Sequence, residues 1–340
     1  MGRKAVKPDK SRQQRIVAFS VIGLAILGVL VVALDWREVH RLAGESEWKP
    51  VLLALLLCAL SYFCLSYSFA LVNQLFGVRR GLHYLFGIGY VSSALNNILA
   101  FLGAAGHSLR LILMRQPGTA TSQILTASIF HSYLNSLVMF FLLSIGLIYL
   151  LASHAIHGLV TIGVILATGV IIVSLILATV IFFAQSTRAA ILQILNKTWH
   201  SFVRRDITPF LRTFDTSLTL GVTAMRDRPL ALALAIGLLA IDWTSAAVVL
   251  WFCFDAFSGS LSPGVLLAGF AIGISAGNLS MVPGGLGVQE ASMAGVYALL
   301  GVSFEQAVLA VILFRVVYDF IPFLISLVFY RQALRISSRA

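Results

Sequence analysis

Residues 275–290 read SAGNLSMVPGGLGVQE and lie inside an apolar run that would otherwise pass for an ordinary membrane helix. Pro283 supplies no backbone donor, and Gly284, Gly285 and Gly287 weaken any helix that contains them. The segment must therefore break or turn. Broken backbone at membrane depth persists only where protein or a water-filled cavity satisfies its polar groups. Glu290 follows Gly287 by three residues, and a carboxylate at that depth is costly to leave against lipid. The stretch predicts one half of a transport site, with Asn278 and Glu290 facing a cavity and Pro283, Gly284, Gly285 and Gly287 forming the broken helix.

Composition sets the class around it. The 340 residues are 59% hydrophobic and 11% charged, with a mean hydropathy of +0.95. That is the profile of an all-α, polytopic membrane protein. The net charge of +11 does not point to nucleic acid, because the basic residues fall between apolar segments. There they act as topology signals and contacts for anionic headgroups. Cys58, Cys64 and Cys253 sit in apolar segments without metal-ligand spacing, and read as small buried hydrophobes.

Downstream of the break, 307–329 is a full span carrying Arg315 and Asp319, and 331–340 is a basic tail. Upstream, 230–254 is a span with Asp242 near its middle. Residues 185–229 hold seven basic residues and two apolar faces, Ile191/Leu195/Thr198/Phe202 and Phe210/Phe214/Leu218/Gly221, separated by Pro209. They read either as two amphipathic interfacial helices or as cytoplasmic extensions of the flanking spans. Further spans cover 158–183, 124–151, 51–72 and 16–34, the last too long for a signal-peptide core. The tail at 1–15 has six basic residues against Asp9. The positive-inside rule places both termini in the cytoplasm. The resulting organisation is one membrane domain at 16–330, with halves 16–183 and 230–330 joined by 185–229. It has about six full spans and two irregular pieces, in a bacterial or archaeal plasma membrane.

The other irregular piece, 84–115, reads YLFGIGYVSSALNNILAFLGAAGHSLRLILMR. After Gly106 too little apolar chain remains to cross a core of ~30 Å, which predicts a re-entrant pair or two short helices. Ser93-Ala94-Leu95-Asn96 parallels Ser275-Ala276-Gly277-Asn278, and each is followed by a glycine-rich break, at 103–106 and 283–287. Each break precedes one charge, Arg110 or Glu290. Entered from opposite sides, the two pieces form an inverted repeat, with a binding site expected at their interface. Gly103 and Gly106 are the corresponding hinge candidates.

Arg110, Asp242, Glu290, Arg315 and Asp319 all fall in apolar segments, where each costs ~2.5–3.5 kcal/mol at a helix centre. They must pair or line water. Arg315 and Asp319 are spaced for an i,i+4 pair, Glu290 could bridge Arg315, and Asp242 could meet Arg110 or Arg315. Alternatively the two arginines hold a phosphate, which suits their planar fork. Asn97, like Asn278, reads as a cap, a bridge for broken backbone, or a substrate contact.

Residues 278–324, NLSMVPGGLGVQEASMAGVYALLGVSFEQAVLAVILFRVVYDFIPFL, resemble the C-terminal signature of the lysylphosphatidylglycerol synthase transmembrane family. The run PGGLGVQE followed by Arg315-x-x-Tyr318 carries that resemblance, and NNILAFLGAAGHSLRLIL at 96–113 resembles the family's earlier Asn…Gly…Arg element. The resemblance implies a flippase-like lipid translocase with membrane lipids as partners, anionic headgroups above all, and a separate lipid synthase. The residues alone leave open a proton-coupled solute transporter, a membrane-embedded lipid-modifying enzyme, or its accessory subunit. The sequence has no HExxH motif or metal-ligand cluster, and neither catalytic residues nor a cofactor is expected.

Overall fold

The computed structural model describes residues 10–99, 104–114, 121–152, 158–203, 208–280 and 282–337, and among them every regular element is helical. In chain order these are α1 (Lys10–Ala33), α2 (Trp36–Gly44), α3 (Trp48–Leu75), α4 (Leu82–Leu99), α5 (Ala104–Met114), α6 (Thr121–Ala152) and α7 (Leu159–Phe183). They continue as α8 (Gln185–Val203), α9 (Thr208–Arg226), α10 (Pro229–Asp255), α11 (Pro263–Leu279), α12 (Val288–Leu299), α13 (Phe304–Phe314) and α14 (Ile321–Ser337). A 3₁₀ turn, Pro283–Gly285, lies between α11 and α12, and a π-helical turn, Arg315–Phe320, joins α13 to α14.

Four stretches among the described residues are long and apolar enough to cross a bilayer: Trp48–Leu75, Thr121–Ala152, Pro229–Asp255 and Phe304–Tyr330. Their outward faces carry Leu, Ile and Val at exposures that water would not tolerate over so wide a surface, such as Leu56 at 68% and Leu234 at 50%. Inward faces are small. α3 and α10 pack along most of their length through Ala54, Cys58, Ser61 and Ser68 against Ala235, Ala246, Ala247 and Cys253. Small residues let membrane helices approach closely and bond across the seam, as Ser68 Oγ does to the Ala235 carbonyl at 3.1 Å. The three cysteines are free and buried.

Both irregular pieces fold as a long helix followed by a shorter one. α4 and α11 rise ~27 and ~26 Å, whereas α5 and α12 reach only ~16 and ~18 Å, well short of a ~30 Å core. The α11–α12 pair is closed by a glycine stripe. A Cβ added at Gly269 or Gly273 would strike Tyr297 or Met293, and one at Gly277 would lie 3.0 Å from Gln289.

Three features add detail to the sequence expectations. The segment 35–50, between the first two apolar runs, holds α2, started by Asp35, whose side chain accepts the Arg37 amide hydrogen at 3.0 Å. α8 is bent from α7 by 106°. Pro209 sits in the first turn of α9, between the two apolar faces as expected, a position where its missing donor costs nothing. The basic charge of this segment is also not all on the surface. Arg188 is buried, paired with Asp215, and donates to Thr219 Oγ1 at 2.5 Å and the Phe182 carbonyl at 3.1 Å. It clamps α8 and α9 to the end of α7.

Candidate functional site

Pro283 starts the break after α11, and Gly284, Gly285 and Gly287 have φ of +62°, +65° and +80°. Side chains rarely adopt that region, so glycine is required there. The turn is also packed on backbone. A Cβ on Gly284 would lie 2.7 Å from the Ile98 carbonyl and 3.1 Å from that of Asn97, at the far end of α4. One on Gly285 would meet Gly277 Cα at 2.9 Å, and one on Gly287 would strike the Gly23 carbonyl of α1. The tip of the second hairpin thus rests on the end of the first helix of the other. The hinge candidates here are tightly held packing points. Gly106 lies in the first turn of α5, and Gly103 lies outside the described residues.

Glu290 holds the far side of the break. One carboxylate oxygen accepts the Gly287 amide hydrogen at 2.6 Å, capping α12, and the other pairs with Arg315 Nε. Arg315 Nη1 donates to Asp319 at 2.7 Å and Nη2 to the Gly284 carbonyl at 2.7 Å. All three guanidinium nitrogens are engaged. One side chain thereby ties the broken turn, α12 and the π turn together, with Glu290 and Asp319 both buried.

Pro322 shapes this corner. It lacks the N–H that would bond Tyr318 C=O in an α-helix, and Tyr62 Oη donates to that carbonyl at 3.0 Å. The register widens to Ile321 N–H on Val316 C=O, and Cys58 Sγ reaches Val317 C=O at 3.3 Å. π turns of this kind recur at functional sites. Asn97 donates to Tyr62 Oη at 2.9 Å and faces Asp319. Asp242 is bonded by Ser61 Oγ, with Tyr318 Oη at 3.4 Å. The expected pairing of Asp242 with Arg110 or Arg315 does not form. On α10 its side chain projects to the seam with α3, where hydroxyls are the available donors.

The structure therefore joins Glu290, Arg315, Asp319, Asn97 and Asp242 in one hydrogen-bonded network with Gly284. Two candidates stand apart. Asn278 is exposed, its amide nitrogen 4.0 Å from Met139 Sδ. Arg110 is buried on α5 against Ser92 and Phe69, and shares no partner with Glu290. The 283–287 turn meets the end of α4, but Arg110 lies near the other end of α5.

Sequence reasoning missed Tyr62 and Ser61. Their only signal was polarity within an apolar span, which does not say what they face. Beside Tyr62 opens an apolar groove of about 430 Å³ between α3, α4 and the α13–α14 path, walled by Cys58, Phe63, Tyr90, Ile321 and Phe329. Its size falls within the range of small-molecule sites, ~300–1,000 Å³. The arrangement sets an apolar groove beside a charged network at a helix break.

Residues 17–326 match the family model described as the lysylphosphatidylglycerol synthase TM region. A phosphatidylglycerol lysyltransferase of Staphylococcus aureus (strain MRSA252) is 25% identical over 242 residues, covering 71% of this chain and 24% of that protein. One from Staphylococcus epidermidis is 32% identical over 88 residues, covering 26% of this chain and 10% of the relative. The chain thus spans about a quarter of the length of the first of these relatives.

Proposed function

The chain belongs to the family of the lysylphosphatidylglycerol synthase TM region, and from that premise we propose that this multi-pass membrane protein moves a polar-headed phospholipid between leaflets. Both termini lie in the cytoplasm in this reading, and α4–α5 and α11–α12 are re-entrant pairs entering from opposite sides as an inverted repeat. The headgroup passes the network around Arg315 while an acyl chain lies in the groove beside Tyr62. A separate lipid synthase supplies the substrate.

One observation carries the reading. Arg315 bridges Glu290, Asp319 and the Gly284 carbonyl at the point where the broken turn meets the end of α4. A charged cluster this costly in an apolar setting is characteristic of substrate paths. The family premise favours lipid over small solute, and the apolar groove adjoining the polar network agrees with a ligand that has both parts.

The test is reconstitution into phosphatidylcholine vesicles containing fluorescent phosphatidylglycerol, with dithionite added outside. Wild-type protein should expose inner-leaflet label within minutes, and Glu290→Gln should slow this by about tenfold or more, the scale of one lost charge-assisted bond. Wild-type vesicles that bleach no further than protein-free ones would remove the proposal.

A further inference from the structure

We infer that Arg110, together with Ser92, is a receiving site for a phosphate ester at the α4–α5 hairpin. The argument starts from charge. Arg110 is 7% exposed, and its Nε donates to Ser92 Oγ at 2.8 Å. Its guanidinium carbon lies 4.4 Å above the Phe69 ring, and its buried Nη1 has no hydrogen-bond partner. A guanidinium stays protonated in any protein setting, and a buried cation without an anion is strongly disfavoured.

Among the described residues, no such anion is paired with it. α5 packs on α4, α6 and α14, and Arg110 also meets α3 through Phe69. None of these five helices contains an Asp or Glu, and the sequence has neither from residue 48 to residue 205. The titratable neighbours are neutral or basic. They are His131, edge-on to the same Phe69 ring at 5.4 Å, and Tyr84, whose Oη donates to the Leu113 carbonyl at 2.6 Å.

The position narrows the ligand. Arg110 lies one turn before the end of α5 at Met114, ~6 Å along the axis. The Tyr84 bond fixes that end beside the start of α4, which Arg79 and Arg80 precede, and Arg80 Nε is likewise buried without a partner. Basic groups without acids, where the start of α4 and the end of α5 come together, match the level of lipid phosphates. Arginine's planar fork and a serine hydroxyl are phosphate ligands. The shared chemistry is a phosphoryl oxyanion, carried by a lipid headgroup or by free phosphate. Binding here is read by retention and does not depend on transport.

Native mass spectrometry of the detergent-purified protein, incubated with phosphatidylglycerol, diacylglycerol or inorganic phosphate, tests this. Wild type should retain phosphatidylglycerol over diacylglycerol, and Arg110→Gln should weaken retention by about tenfold or more, with Ser92→Ala intermediate. Displacement of the lipid by millimolar phosphate, or phosphate retained alone, would assign the site to the free anion. Lipid that phosphate does not displace would assign it to the headgroup. Equal retention by wild type and Arg110→Gln would overturn the inference. If Arg110→Gln does not fold, wild type alone decides. Phosphatidylglycerol, but not diacylglycerol, should slow hydrogen exchange at the start of α4 and end of α5, and equal exchange with both would overturn it.

Discussion

Arg315 and Arg110 each follow a glycine-rich break, each lies in an apolar segment, and each is largely withdrawn from solvent. Arg315 has two carboxylates and a backbone carbonyl on its three nitrogens, whereas Arg110 has one hydroxyl and an aromatic face. The difference follows from where the acids lie in the chain. Asp242, Glu290 and Asp319 all belong to the second half, and residues 48–205 have none. The second half can therefore close its charge internally, and the α4–α5 pair cannot. A saturated arginine fixes structure until something displaces a partner, while an unsaturated one is available to a ligand.

The comparison is most sharply broken at the partners. Glu290→Ala leaves Arg315 short of a counter-ion and α12 without its cap, and should cost about 3–5 kcal/mol in reversible unfolding from mixed micelles. Ser92→Ala removes only a neutral acceptor from Arg110 and should cost about 1 kcal/mol in the same assay. Equal losses would mean that the two arginines are not held differently. Gly284→Ala comes next. It forces a side chain into φ +62° and against the Ile98 carbonyl, and should cost roughly 1–3 kcal/mol. An unchanged midpoint would show that the tip contact is loose. Tyr62→Phe should cost about 1–2 kcal/mol by leaving the Tyr318 carbonyl unpaired, with lipid translocation slowed because Asn97 also loses its partner.

The smallest effect belongs to a third arginine that serves as a control. Arg41 on α2 pairs with Glu38 and Glu45, as Arg315 does with two acids, but its side chain is 54% exposed. Hydrogen bonding from Arg41 holds the Glu38 carboxyl below its ordinary range. A depressed carboxylate contributes stability above its unfolded pKa and loses it as pH falls through the folded value. Arg41→Ala should raise the Glu38 midpoint, followed by carboxyl-carbon NMR, without a resolvable shift in Tm at neutral pH. A large Tm loss there would detach the contrast from burial.

Much of this was legible in the chain. Apolar runs placed the four long spans among the described residues, because a bilayer demands ~20 apolar residues per helix. Pro283 with its neighbouring glycines marked the break, and the spacing of Arg315 and Asp319 matched the pair that forms. Glu290 was legible as a candidate for Arg315, but its second role as the cap of α12 was not, since a cap depends on where the helix resumes. The glycine stripe 269–273–277 was available as a fourfold spacing on α11, and it marks the α12 contact. Asn278 illustrates the opposite case. Its parallel with Asn96 suggested a shared role, yet its side chain faces outward beside Met139.

By itself the sequence determined that the protein is a helical membrane protein with two interrupted segments and too few acids in its first half. Those are matters of composition and local backbone chemistry, which need no partner to act. Only the tertiary structure decided which charges meet, that Asp242 is satisfied by hydroxyls, and that Arg110 is left without an anion. Pairing depends on which helix faces cross and at what height, and residues far apart in the chain set both.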